Sequence, residues 1–216
     1  RINEAAYRSG RNPDEINLVA VTKNIDSNII MESIDLGITN IGENRVQELR
    51  AKYDKITKPV NWHFIGSLQS NKVKHIVDKV ELIHSLDRIS LAKELNKRGK
   101  GIDRIIPVLV QVNISKESTK SGIYKEDMFA FMDSIAAFEY IKIEGLMTIA
   151  PHTTDIESVR PFFVEMRDLF ERVQEQQYDN VNMKYLSMGM TNDFEVAIEE
   201  GANIVRIGRA IFGDRE

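Results

Sequence analysis

A lysine stands directly after an apolar, β-branched run in Val19-Ala-Val-Thr-Lys23-Asn24. Two readings of Lys23 are open. It is a solvated residue of a strand-to-helix loop, or it is an amine whose pKa burial lowers, able to condense with an aldehyde as a Schiff base. Near the other end, Leu186-Ser-Met-Gly-Met-Thr-Asn-Asp193 leads into the helical pattern Phe194-Glu-Val-Ala-Ile-Glu-Glu. Ser187, Gly189 and Thr191 offer hydroxyls and a small backbone just ahead of a helix N-terminus, which suits an anion. Val205-Arg-Ile-Gly-Arg-Ala-Ile-Phe-Gly213 repeats the arrangement, and Gly208-Arg209 lets backbone N–H groups turn toward a ligand. Gly-rich strand-to-helix turns also occur for steric reasons alone, so a phosphate site and plain packing both remain open. Neither GxGxxG nor GxxxxGK[ST] occurs, which leaves dinucleotide and nucleoside-triphosphate readings without a motif.

The other reactive groups say less. Without cysteine there is no disulfide framework, thiolate nucleophile or sulfur-ligated metal. His63, His75, His84 and His152 are too widely spaced for a paired-histidine zinc motif, so no metal is expected. His63 and His84 fall in strand patterns, where a core histidine with satisfied hydrogen bonds is the common outcome. Gln69-Ser-Asn-Lys-Val-Lys74-His75 either binds anions or forms the solvated start of a helix. Glu199-Glu200 sits on a helix leading away from the proposed mouth, and paired-carboxylate glycoside hydrolysis has no specific support. Met147, Met188 and Met190 read as packing around a ring-shaped pocket or as plain core.

Positioning these groups needs a scaffold. Eight short runs that end in polar or Gly residues supply it: Ile16 to Thr22, Thr39 to Gly42, Trp62 to Gly66, Val80 to His84, Ile105 to Asn113, Ile143 to Ile149, Lys184 to Ser187 and Ile204 to Ile207. Helical periodicity fills intervals at Asp26 to Leu36, Arg45 to Ile56, Ile89 to Arg98, Lys125 to Phe138, Ile156 to Gln176 and Phe194 to Glu200. Such alternation predicts parallel strands joined by crossover helices. Eight units favour a closed (β/α)8 TIM barrel, with an open doubly wound sheet as the alternative. In a barrel the loops after the strands build the active face. A phosphate site after strands seven and eight, Lys23 across the mouth and Arg206 on the last strand together fit a phosphorylated aldehyde cofactor.

No Pro/Gly/Ser-rich linker or close repeat divides the 216 residues, which predicts one domain. Net charge is −4, from 29 Lys plus Arg against 33 Asp plus Glu, and the basic residues are scattered, so no nucleic-acid footprint is expected. No stretch approaches the roughly 18 uninterrupted apolar residues of a membrane span, and no signal-peptide pattern opens the chain. The cytoplasm is the expected compartment. Arg1-Ile-Asn-Glu-Ala-Ala-Tyr-Arg8 reads as the later turns of an amphipathic helix with Ile2, Ala5 and Ala6 on one side. The natural chain is therefore expected to begin earlier.

At these residues the sequence resembles the pyridoxal-phosphate homeostasis protein family. The resemblance is carried in order by Leu18-Val-Ala-Val-Thr-Lys23, Ile41-Gly-Glu-Asn-Arg-Val-Gln-Glu48, Trp62-His-Phe-Ile-Gly-Ser-Leu-Gln-Ser-Asn-Lys72, Val112-Asn113 with Lys120-Ser-Gly122, Gly145-Leu-Met-Thr148, Leu186-Ser-Met-Gly-Met-Thr191, and Val205-Arg-Ile-Gly208 through Phe212-Gly213. It implies the barrel of the alanine racemase N-terminal domain, without a C-terminal β domain, holding pyridoxal 5′-phosphate (PLP) as an imine on Lys23. By position it also implies Asn44 beside the cofactor, Met188 near the ring and Arg206 facing the pyridine nitrogen. Ser187, Thr191 and the backbone at Gly208 and Arg209 are the implied phosphate contacts. Thr191 stands where Ser is usual and keeps the hydroxyl. Arg209 stands where a small hydroxyl residue is frequent, so only the backbone donor carries over there.

An arginine partner keeps a pyridine nitrogen largely unprotonated, because a second positive charge disfavours pyridinium. The ring is then a weaker electron sink. Racemases of related fold add a second base, a tyrosine from an additional β domain, and this sequence ends shortly after Phe212-Gly213. None of Tyr7, Tyr53, Tyr124, Tyr140, Tyr178 or Tyr185 stands in a motif that would replace it. The favoured function is a carrier or regulator of PLP, with PLP-dependent apoenzymes as candidate recipients and a monomer or weak dimer as the expected state. The alternatives are a PLP-dependent racemase or lyase, which would turn over an amino acid, and a phosphate-sugar barrel enzyme without the cofactor, which would be colourless.

Overall fold

In the computed structural model, which describes residues 1–213, eight parallel strands close into a barrel. They are β1 (Asn17–Val21), β2 (Asn40–Glu43), β3 (Asn61–Phe64), β4 (Leu82–Leu86), β5 (Ile106–Val112), β6 (Ile141–Thr148), β7 (Val181–Ser187) and β8 (Ile204–Ile207). β8 returns to β1 with Asn17 opposite Ile204 and Ala20 opposite Ile207, which closes the cylinder and excludes the open sheet. The helices are α1 (Ile2–Arg8), α2 (Ser27–Asp35), α3 (Val46–Tyr53), α4 (Ile89–Gly101), α5 (Met128–Ile135), α6 (Arg160–Gln174), α7 (Phe194–Glu199) and α8 (Arg209–Phe212).

All eight expected strands form, β8 with the bounds expected and the other seven with shifted edges. β7 starts at Val181 instead of Lys184, because its first five residues include the exposed Asn182 and Lys184 and lack a continuous apolar run. β4 ends at Leu86 instead of His84; Val80 is spent closing a turn on Ile76 O at 3.2 Å. The helix expected from Gln69 is a 3₁₀ run at Ser70–His75, and those expected from Lys125 and Ile156 open with 3₁₀ turns, at Lys125–Asp127 and Ile156–Val159. Pro161 then sits in the first turn of α6, where a missing N–H costs nothing. α8 is four residues long, too short for a 3.6-residue period to reveal.

Val19, Leu82, Leu109, Met147 and Ile204 form a small buried cluster of their own, with Tyr185 packed against it. They come from five strands around the ring, so they fill the barrel interior as bulky side chains do in this architecture. The main core lies between strands and helices and includes Ile30, Leu49, Leu95, Phe163 and Val196. α2 starts where Asp26 Oδ1 accepts from Asn28 N at 2.8 Å. Ala5 and Ala6 of α1 are fully buried, and Arg11 donates to Ile198 O and Ala202 O at 2.8 and 2.7 Å, capping the end of α7. Among the described residues no helix is long and apolar enough to cross a membrane.

Candidate functional site

The strand order brings the C-terminal ends of β1, β2, β7 and β8 to one cavity of about 370 Å³. Lys23, Asn44, Thr191, Arg206, Gly208 and Arg209 all line it. Ser187 and Met188 are not among its lining residues; both are fully buried, at the end of β7 and just after it.

The residues on either side of Lys23 are held by β2 and α3. Lys52 of α3 donates to Thr22 O and to Glu43 Oε1, both at 2.7 Å, and the Thr22 hydroxyl donates to the same Glu43 oxygen at 2.7 Å. On the far side Asn24 N donates to Glu48 Oε2 at 2.8 Å, and Lys52 lies 3.6 Å from that oxygen. Asn24 takes φ 60°, a left-handed conformation that asparagine tolerates better than most residues. Lys23 is thus set in a turn pinned at both neighbours. Burial pushes the Glu43 carboxyl up while Lys52 and Thr22 pull it down.

After β7 the chain turns at Gly189, with φ +90°, and a Cβ there would come within 2.6 Å of Ala197 Cβ in α7. Only glycine permits that approach. It brings Met190, Thr191, Asn192 and Asp193 to the cavity. Asp193 Oδ1 accepts from Met190 N at 2.6 Å, and burial raises its carboxyl pKa against that bond and the nearby Arg206 charge. After β8, Ile211 and Phe212 donate to Gly208 O at 2.9 and 3.0 Å. The amides that open this turn, at Arg209 and Ala210, have no acceptor within α8. The Arg209 side chain is exposed at the rim.

Arg206 is the buried cation of the site, 4% exposed. It donates to Ser187 Oγ at 2.6 Å and to Thr148 O at 2.8 Å. Burial lowers its pKa to about 10, with Asp193 opposing, so it stays protonated at neutral pH. Beneath it His84 Nδ1 lies 3.0 Å from Ser187 Oγ, and His84 Nε2 lies 2.9 Å from His63 Nδ1. The two histidines expected as satisfied core residues are that.

Several lining residues carried no signal of their own. Asn192 and Asp193 stood only as the end of the run leading into the helical pattern, His152 is an exposed rim residue, and Lys120 stood only inside a longer motif. Lys120 donates to Glu117 at 2.8 Å and Ala150 O at 3.1 Å, and together with Asn44, Ile65 and Ile149 it also lines a second cavity of about 250 Å³. Such loop groups meet only through tertiary structure. Asn44 Oδ1 is buried with no hydrogen-bond partner among the described residues. No three His, Cys, Asp or Glu side chains cluster as a metal site among the described residues.

Comparison with known proteins agrees with the fold. Residues 8–216 match the family described as alanine racemase, N-terminal domain. A pyridoxal phosphate homeostasis protein of Aquifex aeolicus is 43% identical over 217 residues, covering 100% of this chain and 94% of the relative. The structure of PipY of Synechococcus elongatus PCC7942, with PLP bound, superposes with a TM-score of 0.86 at 32% identity, covering 99% of this chain and 100% of that one. A protein of unknown function from Bifidobacterium adolescentis superposes at 0.93 with 35% identity, covering 98% of this chain and 90% of that one. This chain belongs to the alanine racemase N-terminal domain family and, within it, to the pyridoxal phosphate homeostasis proteins.

Proposed function

We propose that this protein binds PLP and serves as its carrier or regulator in intracellular homeostasis, as a single barrel domain in the cytoplasm. The observation that carries this reading is the meeting, in one cavity, of an amine at Lys23, a buried guanidinium at Arg206 and the first-turn backbone of α8 at Arg209. A phosphorylated aldehyde needs all three chemistries: when bound, it supplies a carbonyl that condenses with an amine to an imine. Lys23 provides the amine, and Thr191 with the backbone at Gly208 and Arg209 takes the phosphate. Arg206 faces the ring nitrogen, and Asn44 offers its unpartnered Oδ1 to the ligand. Ser187 falls outside the phosphate set, since its hydroxyl is engaged by Arg206 and His84. The Aquifex relative is named for PLP homeostasis and the Synechococcus relative binds PLP, which supports the reading. None of the six tyrosines lines the cavity, which favours carriage to PLP-dependent apoenzymes over racemisation.

The test is the absorption spectrum of the PLP-incubated protein before and after borohydride, followed by peptide mapping. Reduction is expected to label Lys23 and to leave Lys23→Ala unlabelled. A label on another lysine overturns the assignment.

A further inference from the structure

A line of buried polar groups crosses the barrel interior beneath the cavity. It runs from Arg206 on β8 through Ser187 on β7 and His84 on β4 to His63 on β3, and ends at Asn40, the first residue of β2. The spacings are 2.6, 3.0, 2.9 and 3.3 Å in that order. Asn40 lies at the opposite rim of the barrel from the cavity, so the line spans the strands from end to end.

Its polarity follows from its ends. A guanidinium has only donors, so Ser187 Oγ must accept from Arg206. The hydroxyl has one hydrogen, and its other neighbour is His84 Nδ1, which therefore accepts it. A neutral His84 is then protonated at Nε2, which donates to His63 Nδ1, and His63 in turn is protonated at Nε2 and donates to Asn40 Oδ1. The far end agrees: Asn40 Oδ1 also accepts from Asn61 Nδ2 at 3.1 Å, and Asn40 Nδ2 donates to Thr39 Oγ1 at 3.1 Å. Reversing the chain leaves the Ser187 hydrogen with no acceptor in the line and sets a bare His63 nitrogen against the Asn40 oxygen. Burial keeps both rings neutral, with no counter-charge in the line to hold an imidazolium.

We propose that Ser187, His84 and His63 are positioning residues: a one-way hydrogen-bond chain that holds the Arg206 guanidinium at the cavity and thereby sets the electrostatics the cofactor ring meets. The last clause rests on the PLP reading; the direction of the chain does not. His84 and His63 line neither cavity described above, so their replacement removes no direct contact with a ligand there.

Two measurements separate the chain from the cofactor reading. In the wild-type protein without PLP, long-range ¹⁵N–¹H correlation of the histidine rings is expected to show both His63 and His84 protonated at Nε2 and bare at Nδ1. A proton at Nδ1 on either ring at neutral pH overturns the chain, whether or not PLP binds. In the PLP-loaded protein, His84→Leu is expected to weaken PLP binding roughly tenfold or more and to shift the absorption band, because a hydrogen bond supporting a buried charge is lost. His84→Asn, whose Oδ1 can still accept from Ser187, is expected to recover affinity and band position. If folded His84→Leu keeps wild-type affinity and spectrum, Arg206 does not depend on the chain and the proposal fails. If neither variant folds, the tautomers of the wild-type rings still decide it.

Discussion

His63 shows how one residue's environment becomes a property of the whole chain. Burial holds its pKa down to about 4, against an ordinary value of about 6.5. Above about pH 6.5 the ring is neutral in both folded and unfolded chains, so its contribution is fully present. As pH falls from about 6.5 to about 4, only the unfolded chain takes the proton, and about 3 kcal/mol of stability is lost across that window. His84 acts in the same direction. Glu43 and Asp193, whose carboxyls burial raises, act oppositely, since the folded chain takes their protons first. Denaturant unfolding of wild type and His63→Leu at several pH values isolates the term: the variant is expected to lose less stability on acidification.

At the scale of elements, the joint between β1, β2 and α3 decides where Lys23 points. Thr22, Glu43 and Lys52 are buried together, and Glu43 Oε2 has no partner among the described residues. Lys52→Met removes the only cation bonded, among the described residues, to a fully buried carboxylate, and breaking such a pair costs about 3 kcal/mol. Glu43 can escape by taking a proton, so the loss is expected to be larger at alkaline than at mildly acidic pH. The double variant Glu43→Gln, Lys52→Met is expected to regain most of the stability, as measured by urea unfolding. A deficit that does not depend on pH would show that the pair matters only through packing. The motif Ile41-Gly-Glu-Asn-Arg-Val-Gln-Glu48 was visible as a string. That its Glu43 and Glu48 grip the two neighbours of Lys23 was not, because the contacts join residues 21 and 24 positions apart.

For the whole molecule, ion pairs on the surface join neighbouring helices. Arg160 bridges Glu157, Glu199 and Glu200, while Arg8 bridges Glu195 and Glu199, tying α1 and α6 to α7. The Glu199-Glu200 pair therefore works as a clasp between helices, away from the cavity. Exposed ion pairs of this kind add little each, and most of the holding force comes from the core that the closed barrel buries. Ligand binding adds to that reserve. At a hundredfold excess of free PLP over its Kd the folded state gains about 2.7 kcal/mol, which for a chain of this size raises Tm by roughly 5–10 °C. Thermal scans with and without PLP are expected to show that rise in wild type and a smaller one in Lys23→Ala. Equal shifts in the two would separate binding from the lysine.

The strand-helix alternation, the lysine after the first strand and the Gly-rich turns after the last two were legible along the chain, because hydrophobic period and turn chemistry are local properties. From them came eight strands and, with the family resemblance, the candidate cavity residues. Tertiary structure alone decided closure between β8 and β1, the withdrawal of Ser187 from the cavity to a place under Arg206, and the approach of His63 to His84 from different strands. Each of these depends on which strands become neighbours and on which face a side chain leaves the barrel wall. A shift of one residue in register reverses that face, and the linear order of residues does not state it.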